Sequence, residues 1–145
     1  MKITTGEDVL AESFGLNTDL GSIILANIVQ INIEPDGLSV KNYFPFSKID
    51  KQYPMSLANI ILLETLDDDS AKMYHNSVLQ LKIDQVKSKT SKRMTGNTKD
   101  DYYVISESFE EIKKMTSEYS EKYGITPPSL ADMEEQLEKN KPLFH

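Results

Sequence analysis

The stretch SIILANIVQINI, residues 22–33, constrains this chain more than any other. It is dense in β-branched side chains and holds neither proline nor glycine, so it reads as a long strand. Ile23, Leu25, Val29, Ile31 and Ile33 share one face at a period of two, with Asn27 among them. Ile24, Ala26 and Ile28 make the other face apolar as well, at least where the strand starts. A strand apolar on both sides needs cover on both sides, from a core and from another chain or element.

The flanking residues extend the pattern. A short strand at 2–5 turns on Gly6 and leads into a second strand at 7–14. GLNTDLG, 15–21, is a loop of turn-forming residues. EPDG, 34–37, is a hairpin turn after the long strand. LSVKNYFPF, 38–46, alternates, with Leu38, Val40, Phe44 and Phe46 on one face, and Pro45 marks an edge or a bulge. After a polar loop, MSLANIILLETL, 55–66, reads as a last strand apolar on both faces.

The period then changes from two to 3.6. DDD at 67–69 suits a helix N-terminus, and Ala71, Tyr74, Val78 and Leu81 follow at helical spacing, which predicts a helix over 68–82. Residues 86–99 are polar and basic without periodicity and read as a mobile linker. DYYVIS, 101–106, reads as an added strand. Phe109, Ile112, Met115 and Tyr119 predict a helix over 107–123 that ends on Gly124. Ser129 and Asp132 form the outline of a capping box for a last short helix.

Charge divides the chain in three. Residues 1–81 hold 5 basic and 11 acidic side chains, 82–99 hold 6 and 1, and 100–145 hold 5 and 11. The net charge of −7 excludes a strong, global nucleic-acid binder, because phosphate contacts need concentrated positive charge. With no cysteine there are no disulfides and no thiolate metal sites, and 2 histidines are too few for a histidine-based one. No Gly-rich phosphate loop and no nucleophile–base constellation is visible, so a non-enzymatic protein without cofactor or metal is expected. No membrane-spanning run and no secretory signal is read, which makes a soluble, cytoplasmic protein the expectation.

The motifs ITTGEDVLAESF, SIILANIVQI and MSLANIILLE resemble the Sm-like proteins encoded by marine tailed phages, including cyanophages. Thr5 to Glu12 and Leu25 to Val29 carry the pattern, and the resemblance spans residues 1 to about 82. More distantly, the strand order is similar to the bacterial RNA chaperone Hfq. The resemblance implies a mainly β fold: a small five-stranded Sm-like barrel with a following helix (1–82), then the basic linker (83–100) and an acidic, mostly helical extension (101–145). It also implies a homo-oligomeric ring of roughly five to seven subunits, joined by pairing of the fourth strand of one with the fifth of the next. The setting it implies is the cytoplasm of an infected host cell.

Two candidate RNA sites follow. In Sm and Hfq rings, single-stranded RNA lies near the pore, on the loop after the second strand and the loop before the fifth. The corresponding residues here are Asn17, Thr18 and Asp19 in one loop and Asn59 in the other. Ala58 and Asn59 stand where Hfq has a Lys-His pair and Sm proteins have Arg-Gly, so the cation of the site is missing. The plainer reading of Asn17 to Asp19 is turn chemistry. The second candidate is the basic run Lys82, Lys87, Lys89, Lys92, Arg93 and Lys99, which a ring would repeat in every subunit. Its plainer reading is a solvated linker between acidic neighbours, or a segment folded back on the acidic extension. The function expected is RNA binding or RNA chaperoning. The alternative is a ring-shaped scaffold that captures a protein partner through the extension at 101–145.

Overall fold

The computed structural model describes residues 1–3, 6–43 and 51–141. The chain divides into two compact units, Met1–Tyr74 and His75–His145. The first holds strands β1 (Lys2–Ile3), β2 (Asp8–Asn17), β3 (Ser22–Glu34), β4 (Gly37–Asn42), β5 (Tyr53–Ser56) and β6 (Ile60–Leu62), with a 3-10 turn at Leu57–Asn59 between the last two. Helix α1 (Asp68–Arg93) begins in this unit and continues into the second, which also holds α2 (Thr98–Tyr123) and α3 (Ala131–Asn140).

The strands form one antiparallel sheet in the order β4-β3-β2-β1-β6, with β5 paired to the first half of β3. The sheet is open, which corrects the expected five-stranded barrel, and helices outweigh strands, which corrects the mainly β class. The reason is local. The predicted continuous strand over 55–66 is cut by the 3-10 turn, where Ser56 Oγ accepts the Ala58 N–H at 3.3 Å. What remains is a four-residue β5 on β3 and a three-residue β6 on the two-residue β1. Among the described residues β4 and β6 end the path, each with one neighbour.

The hairpin of β3 and β4 matches the expectation. Pro35 and Asp36 make a two-residue turn, and Glu34 faces Gly37 across it. The strict alternation expected of β3 does not hold. Asn27 has a φ of 50°, and the register with β2 slips there, from Leu10 facing Val29 to Glu12 facing Ala26. A bulge turns every later side chain to the opposite face. Ile28 therefore joins Ile23 and Leu25 in the core, with Ile3 and Val9, while Val29 and Ala26 are buried outside that cluster. The Tyr74 hydroxyl donates to the Asn27 carbonyl at 2.8 Å, tying the first turns of α1 to the bulge. A second slip lies between Ser13 and Gly15 on β2; Gly15 has a φ of 145°, which favours a residue without Cβ. Beyond it β2 runs to Asn17, so part of the predicted loop at 15–21 is strand. Phe44, Pro45 and Phe46 lie outside the described residues.

The second unit is a helical bundle. Leu79 and Ile83 of α1, Ile112 of α2, Ile125 and Met133 of α3 form its buried centre. The helix predicted over 68–82 starts where expected but runs on to Arg93, so most of the segment expected as a mobile linker is helical. Its last turns face α2 through hydroxyls: Thr90 Oγ1 bonds the Val86 carbonyl at 2.8 Å and also contacts the Ser108 hydroxyl. The strand expected at 101–106 is the start of α2, with Asp101, Ile105, Ser108, Ile112 and Thr116 buried at helical spacing.

The turn between α1 and α2 is closed by side chains. The Asp101 carboxylate accepts the Thr95 N–H at 2.8 Å and the Gly96 N–H at 3.1 Å. Asn97 caps α2 by accepting the Lys99 and Asp100 N–H groups. Gly124 ends the helix in the left-handed region, φ 64°, as its position after Tyr123 suggested. Ser129 Oγ accepts the Ala131 N–H at the start of α3.

Candidate functional site

The fold gathers the two predicted loop groups at one end of the sheet. Asn17 pairs with Ser22, Ser22 pairs with Ser56, and the Leu57 N–H donates to the Gly21 carbonyl at 2.8 Å. The tip of the β2–β3 hairpin and the 3-10 turn bearing Asn59 are thus adjacent. Asn17, Thr18, Asp19 and Asn59 are all exposed. The Asn17 carboxamide oxygen accepts the Leu20 N–H at 3.1 Å, an Asx turn. That bond gives Asn17 a local structural role. Residues 14–22 and 53–60 contain no lysine or arginine, while Phe14, Leu16 and Leu20 stand exposed there. This end presents apolar, amide and hydroxyl groups and one carboxylate, a poor match for phosphate and a better one for protein.

The basic run is split by the fold into different environments. Lys82 is only 6% exposed, with its ammonium 4.6 Å from the centre of the Tyr119 ring. A cation held over an aromatic face is part of the bundle interior. It belongs to a ladder in which His75 stacks on Tyr123 at 3.6 Å and Tyr123 meets Tyr119 at 5.1 Å. The Arg93 guanidinium pairs with Glu107 of α2 at 3.2 Å, so this part of the segment does fold back on an acidic neighbour. Lys87, Lys89 and Lys92 project to solvent from the last turns of α1, and Lys99 does so from the first turn of α2. The collar expected of six cations is reduced to four exposed lysines and a paired arginine.

Residues 1–74 carry 5 basic and 11 acidic side chains, and residues 75–145 carry 11 and 12. The unit that holds the loop residues is therefore the strongly acidic one. At its junction with α1, the Ser70 backbone N–H and then the Ser70 hydroxyl hold the Asp67 carboxyl below its ordinary value, against a small opposing effect of desolvation. The N–H bond is 2.7 Å long, so Asp67 acts as a helix cap. Among the described residues no group of three or more His, Asp or Glu side chains is placed to hold a metal ion. No helix among them is long and apolar enough to cross a membrane.

One feature of the sheet escaped the sequence reading. Ile61 and Leu63, on and just after β6, are 63% and 52% exposed. The sequence expectation of a strand covered on both faces places these two inside a core. Their exposure on an uncovered sheet edge is the least ordinary property of the first unit. No known protein family matches the chain, and no curated protein matches it either.

Proposed function

We propose that this chain is a non-enzymatic assembly module whose copies join edge to edge through the sheet, while the helical unit serves as a docking arm for a protein partner. The observation that carries the reading is the pair of open edges, β4 and β6, with Ile61 and Leu63 exposed on the second. An uncovered edge offers unpaired N–H and C=O groups, and an apolar one favours another strand over water. Pairing two different edges is a heterologous contact, which closes into a ring when the rotation between copies permits. The resemblance of the opening motifs to phage Sm-like proteins, which form rings by strand pairing, points the same way. The acidic first unit, with no cation in either loop group, favours protein over phosphate as the bound species.

The test is the native mass of the full chain beside an Ile61→Glu, Leu63→Glu double variant. Both side chains are exposed, so the variant keeps the folded monomer and loses the assembly. A wild-type monomer at tens of micromolar, or an assembly unchanged by the variant, refutes the reading. A second reading rests on the exposed Lys87, Lys89, Lys92 and Lys99: single-stranded RNA held by its phosphates on the helical unit. With no exposed aromatic interleaved among these lysines, such binding would be strongly salt-dependent and indifferent to sequence.

A further inference from the structure

A cleft in the helical unit has the features of a ligand site unrelated to assembly or to RNA. It lies where α1, α2 and α3 converge and encloses about 480 Å³, within the usual range for small-molecule sites. Its apolar lining is Met94, Ile105 and Met133, of which the last two are buried. Methionine side chains are flexible and polarizable and adapt to varied apolar shapes.

The polar lining is unevenly satisfied. Thr90 bonds Val86 and Ser108, the Ser91 hydroxyl bonds the Lys87 carbonyl, and the Asn140 amide bonds the Gln136 carbonyl. The ends of three other side chains are uncommitted. Lys87 on α1 and Asp132 on α3 line the same cleft, yet among the described residues neither forms an ion pair. The Gln136 carboxamide likewise has no hydrogen bond there. Opposite charges that share a cleft without touching leave room for a molecule that meets both.

We propose that this cleft binds a zwitterion of the amino-acid type with an apolar side chain. Lys87 takes its carboxylate, Asp132 takes its ammonium, Gln136 hydrogen-bonds either group, and the side chain rests on Ile105, Met94 and Met133. A peptide terminus shares only one of the two charges, so blocked derivatives separate the free amino acid from a chain end.

The experiment is NMR titration of the full-length protein with L-methionine, L-leucine and L-phenylalanine. Parallel titrations use the N-acetyl and the carboxamide form of each. The expected result is saturable shifts at cleft residues with a dissociation constant of about 1 mM or tighter. Roughly tenfold weakening is expected in each blocked form and in Lys87→Met and Asp132→Asn, both at exposed positions. Gln136→Ala, also exposed, is a third variant against the chance that one of these alters the helices. No saturable shifts at the cleft with any of the three amino acids overturns the proposal. So does equal binding of a blocked and a free form, which assigns the cleft to a peptide end or to apolar contact alone.

Discussion

Asp101→Ala should unlatch the helical unit. Asp101 is 6% exposed, and its carboxylate accepts two backbone N–H groups of the turn between α1 and α2, at 2.8 and 3.1 Å. The Thr95 hydroxyl adds a longer contact at 3.4 Å. A hydrogen bond to a charged group is worth about 1.5–3 kcal/mol, and truncation leaves both N–H donors of a part-buried turn without an acceptor. Partial access of water discounts this, so a loss of about 2–4 kcal/mol is expected. A unit of this size has a total stability on the order of 4–10 kcal/mol, so the loss is a large fraction of it. Asp101→Asn keeps one acceptor oxygen but not the charge, and should lose about half as much. Urea unfolding followed by far-UV circular dichroism reads the difference as a lower midpoint at unchanged slope. The Thr95 and Gly96 amides should lose protection from hydrogen exchange in the same variant. An Asp101→Ala midpoint within about 0.5 kcal/mol of wild type, with both amides still protected, refutes the reasoning.

Other perturbations test other parts of the account. Tyr74→Phe removes the donor to the Asn27 carbonyl at the bulge and should cost about 1 kcal/mol in the same unfolding assay. The Asp67 carboxyl is held below its ordinary value by Ser70, so its contribution to the start of α1 is present above the unfolded carboxyl value of about 3.9 and disappears as pH falls through the lowered folded value. Asp67→Asn should flatten the acid limb of the helical signal in that window, and an unchanged limb contradicts the cap. Changing Lys87, Lys89, Lys92 and Arg93 to Ser should reduce any RNA binding and make its salt dependence shallower; binding that is unaffected removes α1 as the RNA surface.

How much of this could be read in the sequence depends on where side-chain period and burial agree. The β3–β4 hairpin was legible, because EPDG and the β-branched run leave few alternatives. The bulge at Asn27 was not, since a positive φ at one asparagine leaves no mark on an alternating pattern except the asparagine itself. The closed barrel failed on the segment at 55–66, where apolar residues on both faces suggested a strand but Ser56 and Asn59 bound a 3-10 turn. The far half of α1 was hidden because it packs through Thr90 and Ser108 hydroxyls and through Lys82 over a tyrosine, none of which an apolar periodicity detects. At 101–106 the aromatic and β-branched residues suggested a strand, although Asp101, Ile105 and Ser108 already carry the helical spacing.

The candidate site residues divide in the same way. Asn17, Thr18, Asp19 and Asn59 do come together, as strand order alone allowed one to expect, but their chemistry is that of a turn. The basic run was visible as composition. Its separation into one buried, one paired and four exposed cations depends on helix phase, which an unstructured reading could not supply. The exposure of Ile61 and Leu63 was invisible, because an apolar residue awaiting a partner looks the same in sequence as one in a core.

The most direct test of edge-to-edge assembly is hydrogen exchange at the outward-facing amides of β4 and β6, measured on concentrated and on dilute protein. The account predicts protection at high concentration that is lost on dilution, in step at both edges, while the β2–β3 amides stay protected throughout. Exchange at both edges that is equally fast at every concentration contradicts it.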